Sequence, residues 1–466
     1  MRIAPHRRHL IRSRIWVSVL LFLLLFLFLA LPTVSAETVT LTIDEAVRRA
    51  LDQSINLKKG SIDLGLAQYS ASNLWSEIFP SFSVSTGLTF LPKTPLFTNP
   101  GFNYDQNGLS YSFDVGVSLS LNPSFSASMK RIELAYQAQQ LSYDTACKQL
   151  EIQVIKNFLS LVTMKENIAY LGESLTLAEQ NMQRDDTARK NGLLSELDWL
   201  NSRLSVETAR YNLIYAQGNY QNALGDFLAL LGIDAGTDID FSGTVEISQV
   251  SLDPEQLIQE YLPKRPDIVS QRQTIERLEY TKNVTDLSAR SPSLRLATQW
   301  QGTPAAGGGL GAPFTDNVSG SLTLSIPIDG WIPGSKQNQT IRSANADVDK
   351  ARLDLQNTET QAKTQIRSLV LNLQSTWQSL EIARLRVDIA QRTVDAAEQG
   401  FQSGTVEFQE LETLRRDLSS ARQQLLQGEY NYQSLILDLA TALNVDWKTL
   451  TSQQAGEGQA GERSMP

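Results

Sequence analysis

The sequence predicts a mainly α protein that carries transmembrane β-strands and is laid out as an internal twofold repeat, and three observations predict it. First, the glycine turn Asn191-Gly192-Leu193-Leu194-Ser195-Glu196-Leu197-Asp198 returns as Ser403-Gly404-Thr405-Val406-Glu407-Phe408-Gln409-Glu410, displaced by 212 residues (404 − 192). The displacement persists downstream: Ala209-Arg210 against Ala421-Arg422, Leu213 against Leu425, Asn219-Tyr220 against Asn431-Tyr432, Asp234 against Asp446. Second, two very long stretches hold no proline and almost no glycine. Third, four segments switch from the helical period to strict alternation of apolar and polar residues.

Along the chain, residues 1–36 join a basic segment (Arg2, Arg7, Arg8, Arg12, Arg14) to an apolar run, Ile15 to Leu31, and end Val34-Ser35-Ala36. This reads as a cleaved signal peptide, with an uncleaved membrane anchor as the alternative, since about 17 apolar residues is the short limit for spanning. No cysteine follows the run, which argues against a lipoprotein anchor. The first repeat, 37–232, opens with a helix whose first turn carries Asp44 and Glu45, runs to about Glu77 and stops at Pro80. Phe82, Val84, Leu88 and Phe90 then alternate with Ser and Thr. After a Pro/Asn/Gly-rich loop, Tyr111, Phe113, Val115, Val117, Leu119 and Leu121 do the same. Each strand has the ten to twelve residues that cross a bilayer when tilted, with a small hydrophilic opposite face; a soluble sandwich pair shows the same alternation.

From Ser124 to Lys190 the pattern is helical, with Val154, Leu161, Ile168, Leu175 and Met182 as a seven-residue seam. At 1.5 Å per residue such a helix is about 100 Å long. A second helix follows the Gly192 turn and closes at Gly232. Residues 233–253, rich in Asp, Gly, Ser and Thr, read as a linker. The second repeat, 254–446, restates the order: a helix bearing Arg265-Pro266-Asp267, Pro292, strands through Leu294–Trp300 and Val318–Ile328 around a loop from Gly302 to Gly309, a long helix from Ser335 to Ser403 with the seam Ile366, Leu373, Leu380, Val387 and Val394, the Gly404 turn, and a last helix. Residues 447–466 read as a disordered tail.

Composition excludes several functions. Without residues 1–36 the chain holds 36 basic against 50 acidic residues, a net charge of −14, so nucleic acid is not an expected partner. Both histidines, His6 and His9, lie in the signal segment, which removes the commonest general base and metal ligand. Cys147 stands alone, too few for a disulfide framework or a multi-cysteine metal site. The run Gly307-Gly308-Gly309 lies between strands, not in a strand–loop–helix phosphate site. No enzyme activity, cofactor or metal is expected.

Lengths shape the architecture. Two helices of about 37 residues stacked end to end match one of about 67, so each repeat makes a rod with its glycine turn at one end and its strands at the other. Four strands cannot close a barrel, and an open sheet edge is not viable in lipid. The smallest membrane barrels have about eight strands, and a trimer would supply twelve. The alternative is a trimeric coiled-coil stalk without a pore, adhesin-like, whose strands form a soluble cap.

In this order and spacing (the duplicated helix–strand–strand–helix–helix plan, Arg265-Pro266-Asp267, Pro80 and Pro292 before the strands, the Gly192-Leu193 and Gly404-Thr405 turns), the chain resembles the TolC family of outer-membrane efflux and secretion proteins. The resemblance implies a homotrimer with a twelve-stranded β-barrel in outer-membrane lipid and a helical tunnel across the periplasm. It also implies a closed tip that opens when a periplasmic adaptor (membrane fusion) protein and an inner-membrane transporter dock. By the same resemblance Gly192, Leu193, Ser195, Gly404 and Thr405 meet the adaptor, and Asp198 and Glu410 form acidic rings at the pore entrance. Each also has a plainer reading, a glycine serving helix-turn geometry and a solvated acid. By the same resemblance the basic residue that latches the tip in some members falls on Val406, so that lock is absent or built differently here, with Arg415 and Arg416 as the candidates to substitute. Tyr104, Tyr111, Trp300 and Trp331 suit a membrane-interface aromatic belt. The cargo is not legible.

Overall fold

The structure, a computed structural model, describes residues 39–90, 109–234, 237, 239–242, 247–304 and 314–450. The signal segment, Tyr104, Gly307–Gly309 and residues 451–466 lie outside the described residues, as does the side chain of Tyr111. Eight helices are described: α1 (Ile43–Gln53), α2 (Ile55–Ser72), α3 (Phe125–Lys190), α4 (Glu196–Leu231), α5 (Pro254–Tyr261), α6 (Pro266–Arg290), α7 (Lys336–Gln402) and α8 (Phe408–Leu443). The strands are β1 (Val39–Leu41), β2 (Ser81–Phe90), β3 (Leu109–Leu121), β4 (Ile239–Phe241), β5 (Ser293–Pro304) and β6 (Phe314–Ser325). No described helix is long and apolar enough to cross a membrane.

The 66 residues of α3 and 67 of α7 run unbroken, as the absence of proline requires. The seam residues Val154, Leu161, Ile366, Leu373, Leu380 and Val394 are buried, while Ile168, Leu175, Met182 and Val387, at or toward the tip-proximal half, are partly covered. Helix α3 packs against α2, α4, α6 and α8, and α7 packs against α6 and α8. The helices therefore lie side by side as α2–α3–α6–α7 near the strands and α4–α3–α8–α7 toward the turns. One flank is α2 followed by α4; the other is α7. Large apolar side chains stay exposed on both: Ile62, Leu66 and Tyr69 on α2, Leu204, Ile214 and Tyr215 on α4, Leu353, Leu385 and Ile389 on α7.

Strands β2-β3-β5-β6 form one antiparallel sheet in that order. The register aligns Val84, Val115, Trp300 and Val318 in one row, and Leu121, Leu294 and Leu324 in another. The alternate rows are polar: Ser83, Gly116, Gln299 and Ser319, then Ser85, Asp114, Gln301 and Asn317. The apolar face is open, with Val84, Leu88, Val318 and Leu322 exposed. Among the described residues β2 and β6 each pair on one side only.

Midway along the rod lie the larger cores. One joins Leu41, Ala46, Val154, Phe158, Phe227 and Ile239; another joins Val250, Ile258, Ile366, Leu373, Tyr432 and Leu443; Ile155, Leu159 and Leu437 connect the two regions.

Three expectations are corrected here. The first helix is not continuous to Glu77: Ser54 ends α1 and caps α2, its hydroxyl accepting from the Leu57 amide at 3.3 Å, and Leu74–Ile78 is a 3-10 turn. Serine competes for backbone partners in this way, which breaks a helix without proline. Within the segment read as the linker, 233–253, β4 pairs in parallel with β1, and Val250 is buried. Strand β5 continues to Pro304, through the first residues assigned to the loop. The tail begins later than 447, because residues 447–450 are helical and Leu450 packs into the core beside Trp447.

Candidate functional site at the turn end

Both glycine turns close their helices with the same hydrogen-bond pair. The Leu193 amide donates to Ala188 O at 2.9 Å and Gly192 N to Arg189 O at 2.9 Å; Thr405 N donates to Gly400 O at 2.9 Å and Gly404 N to Phe401 O at 3.1 Å. This is the Schellman arrangement, which needs a left-handed residue, and Gly192 and Gly404 supply φ of 78° and 79°. Gly232 uses the same device at the far end of α4. The glycines thus serve geometry, and what distinguishes the tip is what they present: Leu193 is 80% exposed.

Ser195 caps α4. Its hydroxyl accepts from Asp198 N at 3.1 Å and donates to Asp198 Oδ2 at 2.6 Å, so this acid is held half-buried in the first turn. Glu410 occupies the matching turn of α8 and is exposed. In the second turn Thr405 Oγ1 donates to Gly400 O at 3.0 Å. Val406 folds onto the last turn of α7, where a Cβ on Gly400 would lie 2.5 Å from Val406 Cγ2. Gly400 is a tip residue that sequence reading missed; its signal was a glycine four residues ahead of the turn glycine.

The basic residues near the tip are already engaged. Arg189 donates to Asp186 at 3.0 Å and Glu196 at 2.9 Å and lies over the Trp199 ring at 4.5 Å. Arg415, its side chain 13% exposed, bridges Glu398 on α7 (2.7 Å) and Glu412 on α8 (2.8 Å). Glu412 also accepts from Ser205 Oγ on α4 at 2.9 Å. One polar chain therefore runs from α4 through α8 to α7. Arg416 has no such place: it is exposed and bonds within its own helix. Between the hairpins is a groove of about 540 Å³, lined by Tyr170, Asn181, Leu204, Val394, Phe408 and Arg422 among others.

Behind this chain Asp185 is buried and takes a hydrogen bond from Ser202 across α3 and α4. Burial raises its pKa, the Ser202 bond and Arg184 oppose the rise, and Glu412 adds to it. A carboxyl whose folded pKa is raised binds more protons folded than unfolded, so its charge costs stability above the folded pKa and the cost fades as pH falls through it. Hydrogen exchange over residues 181–206, corrected for intrinsic rates, is expected to slow on moving from neutral to mildly acid pH. Asp185→Asn should be flat and protected throughout; a wild-type profile in the variant would assign the pH dependence elsewhere.

Among the described residues no group of acids and cysteine could hold a metal ion.

A family model described as outer membrane efflux protein matches residues 46–233 and again 257–445. Toxin and drug export protein A of Aggregatibacter actinomycetemcomitans is 21% identical over 401 residues, 84% of this chain and 83% of that protein. Outer membrane protein TolC of Escherichia coli is 21% identical over 406 residues, 83% of this chain and 79% of that protein. The crystal structure of the Campylobacter jejuni CmeC outer membrane channel superposes with a TM-score of 0.69 at 19% identity, covering 88% of each chain. At that identity the superposition shows the fold.

Proposed function

The chain belongs to the outer membrane efflux protein family, an outer-membrane protein by that membership, and on this premise we propose that it is the passive exit duct of a tripartite efflux or type I secretion system. The observation that carries the reading is the four-stranded sheet. It exposes a mainly apolar face, interrupted by Thr86, Thr298 and Asp316, and among the described residues leaves two outer edges unpaired, at the opposite end from two turns that lie about 100 Å away along α3 and α7. In lipid both edges need partners. Three copies give a closed barrel of twelve strands with the Ser/Gly/Gln face inward.

The flanks support the same closure. Glu412 and Arg415 mark one height on α4 (Ser205) and α7 (Glu398). Counting away from the tip at 1.5 Å per residue, Ile214 and Tyr215 on α4 stand within about one helical turn of Ile389 on α7. Rotation about an axis along the rod, without translation, brings these two exposed apolar seams together as an isologous contact cannot. The doubled family match supports the chain's origin as two copies of one unit.

At the tip, Gly192, Leu193, Ser195, Gly404 and Thr405 form the surface that meets a periplasmic adaptor, itself coupled to an inner-membrane transporter. Asp198 and Glu410, repeated three times around the axis, make carboxylate rings that favour cations. Opening follows from partners binding the open tip more tightly than the closed one. Planar-bilayer recording of the purified oligomer tests this: a cation-preferring channel is expected, and Asp198→Asn with Glu410→Gln should lose most of the preference while still conducting. A protein that inserts but never conducts would remove the duct reading.

A further inference from the structure

We infer that Arg295, repeated three times around the axis, forms a cationic ring at the rod-side foot of the barrel and binds passing solutes that carry two or more carboxylate or phosphate groups. The inference rests on the reading of the trimer as a duct and adds a binding site within it.

Alternation and register put Arg295 on the polar face of the sheet, between Leu294 and Leu296 of the apolar face, and the residue is exposed. It pairs with Ser120 on β3 and Thr323 on β6. The polar rows on either side bring Ser118, Ala297 and Ser321, then Ser293 and Ser325. These neighbours are all short and uncharged, and among the described residues no ion pair or side-chain hydrogen bond engages the guanidinium. The other charge on the polar face of the described strands is Asp114, since Asp316 lies on the apolar face. Its carboxylate is occupied: Oδ2 accepts from Ser112 Oγ at 3.2 Å and Oδ1 from Gln299 Nε2 at 3.0 Å. From Asp114 to Ser120, the partner of Arg295, is about 20 Å along β3, about two Debye lengths in 0.1 M salt. Asp114 therefore leaves the arginine without a counter-charge.

Closure into twelve strands turns this isolated charge into a site. Strands about 4.8 Å apart and tilted about 40° give a backbone radius of about 12 Å. By its covalent dimensions an extended arginine spans about half of that, so three guanidiniums stand about 6 Å from the axis and about 10 Å from one another. The small side chains around each of them leave this reach open. At that separation the three cations still repel one another through salt, and one multivalent anion on the axis relieves them together. Guanidinium forks pair bidentately with carboxylate and phosphate oxygens, which selects such groups over chloride. Even for a monovalent anion, three charges acting through water and screened at 0.1 M salt raise the concentration on the axis about fivefold. Each further unit of negative charge multiplies that factor again.

The test is planar-bilayer recording of the full-length oligomer in potassium chloride. Citrate and inorganic pyrophosphate are added in turn on the side of the strand loops, so that carboxylate and phosphate are read separately. Arg295→Gln removes the charge at an exposed position. It should lower the chloride-to-potassium permeability ratio about threefold, less than the local enrichment because the ring fills a short part of the path. At least one of the two anions should reduce the wild-type current, and about tenfold more of it should be needed in Arg295→Gln. Arg295→Lys keeps the charge without the fork, so it should hold the permeability ratio and shift the blocking concentration part of the way; it carries the test if the glutamine variant does not assemble. Asp114→Asn should raise the ratio and leave the blocking concentration in place. If the wild type conducts and neither arginine variant changes its block by either anion, the ring is no binding site and the duct reading stands. A wild type that inserts and never conducts removes the duct reading and the ring with it.

Discussion

Arg415→Ala is expected to give a channel that is open much more of the time in a planar bilayer without any adaptor. Its guanidinium is the only described cation placed between Glu398 and Glu412. Removing it leaves two carboxylates near one another, Glu412 largely buried, without a counter-charge. Breaking such a pair by deleting one partner costs about 3–5 kcal/mol when fully buried; with Glu398 about a third exposed we expect roughly 2 kcal/mol, some thirtyfold in an equilibrium. The loss falls on the junction between hairpins, because Glu412 is also the acceptor for Ser205 on α4. Arg415→Lys should recover part of the effect, since an ammonium restores the charge but not the two-sided fork. Arg416→Ala, one residue away and exposed, should behave as wild type. Wild-type gating in Arg415→Ala, with raised hydrogen exchange over 398–416, would show that the bridge stiffens the hairpin without holding the tip shut.

That bridge also shows where sequence reasoning stopped. The position expected to carry a latch is Val406, and it is filled by packing against Gly400. The arginine that links the hairpins, nine residues further on, is one of the two substitutes the sequence offers, and only α4, α7 and α8 placed side by side separate Arg415 from Arg416. What was legible followed local rules. Proline-free seams predict unbroken helices, alternation predicts the strands, and the repeated glycines mark the turns between helices. What was not legible is non-local or weakly encoded. A three-residue ribbon, β1 with β4, has no periodicity to read, and the break at Ser54 turns on one hydroxyl. The segment after α8 looks polar enough to be free until Trp447 and Leu450 are seen in the core of the second repeat. At the site, the sequence places Asp198 and Glu410 in matching turns, but only the structure shows Ser195 holding the one and no cap hydroxyl holding α8.

The connection between the repeats supplies the other large expected effect. Residues 233–253 look like a spacer, yet the Tyr432 hydroxyl on α8 donates to Ser248 O at 3.0 Å and accepts from Val250 N at 3.0 Å. The ring itself is fully buried and packs 5.2 Å from that of Trp377. Two contributions separate by substitution. Tyr432→Phe keeps the ring and leaves the buried Val250 amide unpaired and the part-buried Ser248 carbonyl without this donor, about 1–3 kcal/mol. Tyr432→Ala adds the cavity of a lost aromatic, about 3–5 kcal/mol by itself. Denaturant midpoints should therefore fall in the order wild type, Phe, Ala. The same order should appear in limited proteolysis, with new cleavage confined to residues 247–252 in the Phe variant before any cut in α3 or α7. This segment connects the repeats and reaches the core that also receives Leu450, so its release is expected to loosen the mid-rod girdle while the tip contacts of Arg415 persist. Equal protease resistance in all three proteins would mean that β4 and the Val250 side chain hold the connection without the tyrosine.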